Sequence, residues 1–309
     1  MKLIMTPEFE SKFLYPKYWI TWVVLGFWRL IIFLPYPVLV GIGYLLGQLL
    51  YILPSSRKKI AQTNIKLCFP NLTEIQRKRL LHKNCASLGI AVIETGIAWW
   101  WSNERLSRII QYEGLENLKP LESSGGIILL GIHYTTLEIG ASAIMMKTQL
   151  DGMYREHKND VFNYVQLKGR ASRNPDCYLY ERRDVRSTMK ALKNGRMVWY
   201  GPDQDYGLSQ GVFAPFFNIQ AATVTGTARF ARISGSSVIP FSHIRMPKAR
   251  GYKVKVYPKL ENFPSEKLVD DTIRVNQEIE RLILIKPDQY LWAHRRFKNR
   301  PEGEDKLYN

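Results

Sequence analysis

Two apolar runs set end to end, residues 18–34 and 36–53, constrain this chain more than any other feature. Pro35 and Pro37 divide them. The first carries one charge, Arg29, among Trp19, Trp22, Phe27, Trp28 and Phe33. The second carries none, and Gln48 is its one strongly polar side chain. As helices, at ~1.5 Å per residue, each reaches roughly 25 Å, which is short for a bilayer crossing. Arg29 near the middle of a span would cost about 2.5–3.5 kcal/mol unless it snorkels or pairs. Gly43 and Gly47 form a G-x-x-x-G pattern that lets another helix approach closely. The stretch is too long for a cleaved signal peptide, starts after the polar Pro7-Glu-Phe-Glu10, and precedes no small-residue cleavage site. Arg57, Lys58 and Lys59 follow directly, and the positive-inside rule places them in the cytosol. The expected organisation is a membrane anchor at residues 1–56, with one spanning or deeply inserted helix and one interfacial helix, and a cytosolic domain at 57–309. Two core helices of a soluble domain are the alternative.

A chain of 309 residues with 46% hydrophobic and 23% charged content is long and apolar enough to bury a core. Its formal charge of +17 suits nucleic acid, an anionic membrane or a phosphorylated substrate alike. The basic residues are spread along the chain without a nucleic-acid-binding motif, which disfavours the first. Cys68, Cys85 and Cys177 lie far apart and form no C-x-x-C pair, so neither a disulfide framework nor a zinc site is expected. So sparse a count fits a reducing compartment.

From Lys58 to Trp101 apolar residues recur at three- and four-residue steps, which predicts helix. Beyond them the texture changes. Ile127-Ile-Leu-Leu130 is a short continuous apolar run, and so reads as a buried strand. Met197-Val-Trp-Tyr200, residues 238–241 and residues 252–257 are further strands, the last an edge strand because it alternates strictly. Helical stretches at 137–146, 186–192, 224–233 and 268–285 lie between or after them. Alternation of this kind predicts an α/β sandwich, a central, mostly buried sheet flanked by helices.

Gly131 lets the chain turn at the end of the first strand, His133 follows, and Glu138 lies five residues on. Ligands of open α/β sheets collect at the carboxyl ends of strands, beside helix N-termini. A helix beginning at Thr135 brings Glu138 near His133. A carboxylate on one imidazole nitrogen frees the other to act as a base. No serine or cysteine nucleophile stands nearby, so the chemistry is base-assisted attack by a substrate hydroxyl. A structural account competes: Thr135-x-x-Glu138 is itself a helix capping box.

The run Gly131-Ile-His-Tyr-Thr-Thr-Leu-Glu-Ile-Gly140 resembles the active-site block of the late acyltransferases of lipid A biosynthesis, the lauroyl and myristoyl transferases of Gram-negative inner membranes. The resemblance continues through Tyr154-Arg155, Lys168-Gly-Arg170, Val198-Trp-Tyr-Gly-Pro-Asp203-Gln-Asp205-Tyr-Gly207, Val212-Phe-Ala-Pro-Phe-Phe217 and Tyr290-Leu-Trp-Ala-His-Arg-Arg-Phe-Lys-Asn-Arg-Pro-Glu-Gly303. These blocks occur in order over most of residues 57–303. The wider lysophospholipid acyltransferases usually carry Asp where Glu138 stands, and Glu fits the lipid A branch better.

The resemblance implies transfer of an acyl chain from acyl carrier protein to a hydroxyl of a lipid A precursor, at the cytoplasmic side of the inner membrane. It makes His133 the base and Glu138 its orienting partner, with no covalent acyl-enzyme, metal or organic cofactor. Asp203 and Asp205 then shape the site, although Gly201-Pro-Asp203 is also ordinary turn chemistry. Arg155 and Arg170 are candidates for the phosphates of the acceptor. Trp292, Arg295 and Arg296 suit a contact with lipid headgroups or with the acidic carrier protein. Rival readings are another lysophospholipid acyltransferase, an acyl hydrolase on the same scaffold, and a basic membrane-tethered binding protein.

Overall fold

The computed structural model describes residues 7–118, 125–182 and 184–308. The first six residues of the expected anchor lie outside them. Two short 3₁₀ turns, Ser11–Leu14 and Pro16–Tyr18, lead into four α-helices: α1 (Trp19–Ile31), α2 (Tyr36–Ile52), α3 (Ser56–Cys68) and α4 (Glu74–Trp100). Pro35 and Pro37 account for the break between the first two, because proline supplies no N–H and is tolerated only in a helix's first turn. Thr73 and Gln76 close a capping box that starts α4. The short α5 (Asn103–Ser107) leads into β1 (Ile110–Glu113), and β2 (Ile127–Leu130), α6 (Leu137–Met145), β3 (Asp151–Tyr154) and α7 (Asp160–Ala171) follow. Next come β4 (Leu179–Glu181), α8 (Val185–Lys193), β5 (Met197–Tyr200), a hairpin of β6 (Gly211–Phe216) and β7 (Ile219–Val224), and α9 (Gly226–Ser234). The chain finishes with β8 (Ser237–Arg245), β9 (Tyr252–Val256), α10 (Leu268–Ile285) and an irregular C-terminal segment.

Seven strands form one sheet in the order β1-β9-β8-β2-β5-β3-β4. The buried run Ile127–Leu130 occupies its centre, parallel to both β8 and β5. Its side chains alternate between two cores. Ile127 and Leu129 pack with α2, α4 and α6, whereas Ile128 and Leu130 pack with α8, α9 and α10. The expected sandwich is present. The expectation of an edge strand at 252–257 needs correcting: β9 lies between β8 and β1, and its alternation arises because Lys253 and Lys255 pair with Glu113 of β1.

α2 belongs to the body of the protein. Its glycine face lies along α4, where a Cβ on Gly89 would come within 2.1 Å of the Gly47 nitrogen and one on Gly43 within 2.6 Å of Ile90 Cα. The G-x-x-x-G pattern thus serves contact with a helix of the same domain. The outward faces are apolar: Trp19, Ile20, Val23, Phe27 and Leu30 of α1, and Leu45, Leu49 and Ile52 of α2, are exposed. No single helix among the described residues is long and apolar enough to cross a membrane, and α2 and α3 pass together only as a pair bent by 86°.

Candidate active site

β2 and β5 run side by side with Leu130 opposite Tyr200, and each is followed by a glycine and then by a polar residue three positions past the strand. The shared register sets His133 beside Asp203. Asp203 accepts two hydrogen bonds from His133: the backbone N–H reaches Oδ2 at 2.9 Å, and Nδ1 reaches Oδ1 at 2.6 Å. Asp203 is fully buried. Burial alone would push its carboxyl up, but the His133 charge and hydrogen bonds outweigh it and hold Asp203 below the ordinary carboxylate range. With Nδ1 held, His133 leaves Nε2 without a hydrogen bond to any described residue, on a side chain 20% exposed. Trp199 stands edge-on to the imidazole at 5.3 Å between ring centroids. Gly131 and Gly201 make room for the indole, since a Cβ on either would lie 2.2 or 2.6 Å from it.

Glu138 points elsewhere. Its carboxylate accepts from Arg170 Nε at 3.1 Å, from Arg170 Nη2, and from Trp99 Nε1 at 3.1 Å. Burial raises its pKa, but Arg170 and the Trp99 hydrogen bond overcome this and lower it. The carboxylate hydrogen-bonded to His133 is therefore that of Asp203, and Glu138 instead joins the start of α6 to α7 and α4. α6 begins at Leu137, as the helical stretch at 137–146 expects, and not at Thr135, and no capping box forms at its start. The Thr136 hydroxyl bonds to His243 Nδ1 and the His243 carbonyl oxygen at 2.9 and 2.6 Å, and the Thr135 hydroxyl is buried without a partner among the described residues.

A strap formed by residues 289–294 holds the His133 loop from the other side. Thr135 N–H donates to Gln289 O at 2.7 Å, and Leu291 N–H donates to His133 O at 2.9 Å. Asn84 of α4 fixes the strap through the Asp288 and Tyr290 carbonyls, and Asn64 of α3 through those of Trp292 and His294. Asp205 joins it at the far end: its N–H donates to His294 Nε2 at 3.1 Å, and its carboxylate takes Asn299 N–H and Nδ2.

Trp292 and Arg296 do not form a surface contact. They are 1% and 2% exposed, with Arg296 donating to Ala222 O and Thr223 Oγ1. Their place in a basic, aromatic run hid that these two side chains turn inward. Arg295 is exposed, with its guanidinium 6.0 Å from the Tyr308 ring. Arg155 is exposed just after β3. Arg170 is bound to Glu138, so its charge is already matched. Trp99 was missed by the sequence reading. No group of acidic, histidine or cysteine side chains among the described residues could hold a metal ion.

Burial lowers the pKa of His294 to about 4 and that of His243 to about 3, from an ordinary value of 6.5. A folded-state value below the unfolded one means that protons favour the unfolded chain. Stability is thus fully present above about pH 6.5 and is lost as pH falls toward 4, by roughly 3 kcal/mol for His294 alone. Unfolding in detergent should therefore show a falling midpoint over that window, and His294→Gln should flatten it. An unchanged slope in the variant would show that His294 is not the group responsible.

Residues 6–299 match the family described as bacterial lipid A biosynthesis acyltransferase. The chain is 39% identical to the lipid A biosynthesis lauroyltransferase of Escherichia coli K12 over 98% of its own length and 99% of the relative's. It is 37% identical to the palmitoleoyltransferase of the same organism, with 97% and 98% covered. It is 38% identical to a lipid A biosynthesis acyltransferase of Haemophilus influenzae Rd, with 98% and 97% covered. Taken with a histidine–carboxylate pair at the ends of two central parallel strands, these likenesses make the chain a member of the bacterial lipid A biosynthesis acyltransferases, and an enzyme that transfers acyl groups.

Proposed function

We propose that this acyltransferase moves a lauroyl or myristoyl chain from acyl carrier protein to a hydroxyl of a lipid A precursor. The observation that carries the mechanism is the His133–Asp203 pair with His133 Nε2 unengaged. Asp203 fixes the tautomer with the proton on Nδ1 and stabilises the imidazolium that forms. Nε2 takes the proton of the acceptor hydroxyl as its oxygen attacks the thioester carbonyl. The carrier thiol leaves and the ester forms. All three cysteines are buried, which supports direct transfer over a cysteine-bound acyl intermediate. Glu138, clamped by Arg170 and Trp99, positions α6 behind the base.

Purified protein given an acyl-carrier thioester and a tetra- or penta-acylated lipid A precursor should yield a lipid one acyl chain heavier by mass spectrometry. An acyl group recovered only as free fatty acid would make the protein a hydrolase and end this reading.

The anchor is read as a bilayer contact made by the outward faces of α1 and α2. At 13 and 17 residues the helices reach about 20 and 25 Å, less than a hydrocarbon layer of about 30 Å. With α2 seated along α4, insertion into the cytoplasmic leaflet of the inner membrane suits them better than a crossing. The intact protein should need detergent, and Phe27→Glu with Leu30→Glu should release it from anionic vesicles. A wild-type chain that stays soluble and unbound would contradict the anchor.

A further inference from the structure

A cavity of about 470 Å³ has Leu291, Ala293 and His294 of the strap in its wall, and so is linked to the His133–Asp203 pair without belonging to it. Leu50 at the end of α2, Arg57 and Lys58 in the first turn of α3, Leu88 on α4 and His294 on the strap line it. Its charge is unusual. Arg57 Nη1 donates to Ala293 O at 3.2 Å, and Lys58 Nζ donates to Tyr51 O and Leu53 O at 2.6 and 3.0 Å. Backbone carbonyls thus hold both cations in place, and neither forms an ion pair with a carboxylate among the described residues. No acidic residue occupies the first turn of α3, so the positive end of that helix adds to theirs.

The position of the cavity narrows what it can hold. On one side Leu50 continues into the exposed apolar residues Leu49, Ile52 and Leu53. On the other, the wall residue Leu291 donates its N–H to the His133 carbonyl, and His294 accepts from the Asp205 N–H. A ligand seated here meets two cations, has hydrocarbon beside it, and touches a wall whose Leu291 is hydrogen-bonded to the residue proposed as the base.

We propose that this cavity is the phosphate-recognition subsite for the acceptor lipid: Arg57 and Lys58 take a headgroup phosphate while Leu50 and Leu88 flank the start of an attached chain. This rests on the reaction proposed above. Guanidinium presents paired N–H donors that match phosphate oxygens, and its contact to Ala293 leaves donors for them. Arg170 does not offer that charge, being matched by Glu138. A membrane lipid fits better than the carrier protein, because the exposed apolar residues Leu49, Leu50, Ile52 and Leu53 stand at the cavity's edge.

The test compares full-length wild-type and Arg57→Gln protein on matched acceptor lipids carrying two, one or no phosphates, with one acyl donor. Arg57→Gln should raise KM for the fully phosphorylated acceptor about tenfold or more, as expected for a lost charge-assisted contact. The penalty should shrink to under about twofold once the recognised phosphate is absent, Arg57→Lys should recover part of the loss, and KM for the donor should stay put. Arg57 also braces the strap, so Leu88→Phe serves as a second variant that narrows the cavity without altering its charge. It too should raise the acceptor KM. A penalty equal on all acceptors, a shift confined to the donor KM, or an unaltered acceptor KM in Leu88→Phe would each overturn the subsite. A wild-type chain that acylates none of the acceptors would overturn the reaction reading instead.

Discussion

Replacing Asp203 by Asn should lower kcat by about 10²–10⁴-fold, and His133→Ala should remove acyl transfer altogether. The first effect follows from the tautomer. His133 Nε2 can accept a proton only while Nδ1 carries one, and the buried Asp203 carboxylate is what holds it there. Asn keeps the volume, and its one oxygen can still accept the His133 backbone N–H, so the fold should survive while Nδ1 faces an amide N–H and the imidazolium loses its counter-charge. Because the two residues act as a unit, the double variant should be no slower than His133→Ala alone. Glu138→Ala should also reduce activity, through a different route: it leaves Arg170 without its carboxylate and loosens α6 behind the His133 loop. Steady-state rates with the folded variants check all of this. Turnover within about threefold of wild type in Asp203→Asn would sink the assignment of Asp203 as the orienting group.

The elements that position the site were legible where side-chain pattern alone decides structure. Ile127–Leu130 and Met197–Tyr200 read as strands because buried parallel strands are continuous apolar runs, and both form with those bounds. The pairing between them was not legible, although both are followed by a glycine and a polar residue three positions past the strand end. Proximity in sequence favoured Glu138 as the partner of His133. Proximity in space depends on which strand lies beside β2, and a hydrophobic pattern carries no information about strand order. β3 and β4 were missed for a related reason. Asp151 is buried on β3 against Arg196 and Tyr180, so a charge stands where an apolar residue would have signalled a strand. The C-terminal run misled by composition: Trp292 and Arg296 look like an interfacial pair, yet the Arg296 guanidinium donates to Ala222 O and Thr223 Oγ1 inside the protein.

Arg245→Met should destabilise the protein by about 3–5 kcal/mol, the range expected when one partner of a buried ion pair is removed. Arg245 at the end of β8 grips Glu94 of α4 with Nε at 2.6 Å and Nη2 at 3.0 Å, and Nη1 reaches Ser87 at 3.2 Å. The two side chains are 8% and 2% exposed, so the loss of Arg245 strands a carboxylate with little access to water. Burial disfavours the Arg245 charge, but Glu94 outweighs it and raises the pKa, so the guanidinium stays charged. Glu94→Gln should cost a similar amount by stranding the guanidinium. The double variant Glu94→Gln/Arg245→Met should recover much of the loss, because no uncompensated charge remains. The seam also reaches the site. Arg245 exchanges backbone hydrogen bonds with the Gln289 side chain, Gln289 O accepts from Thr135 N–H, and α4 holds the strap through Asn84. Acyl transfer should therefore fall in both single variants and return in part with the double. Chemical unfolding in detergent gives the three stabilities. If the two single losses simply add in the double variant, the pair is not the coupled unit that fastens α4 to the sheet.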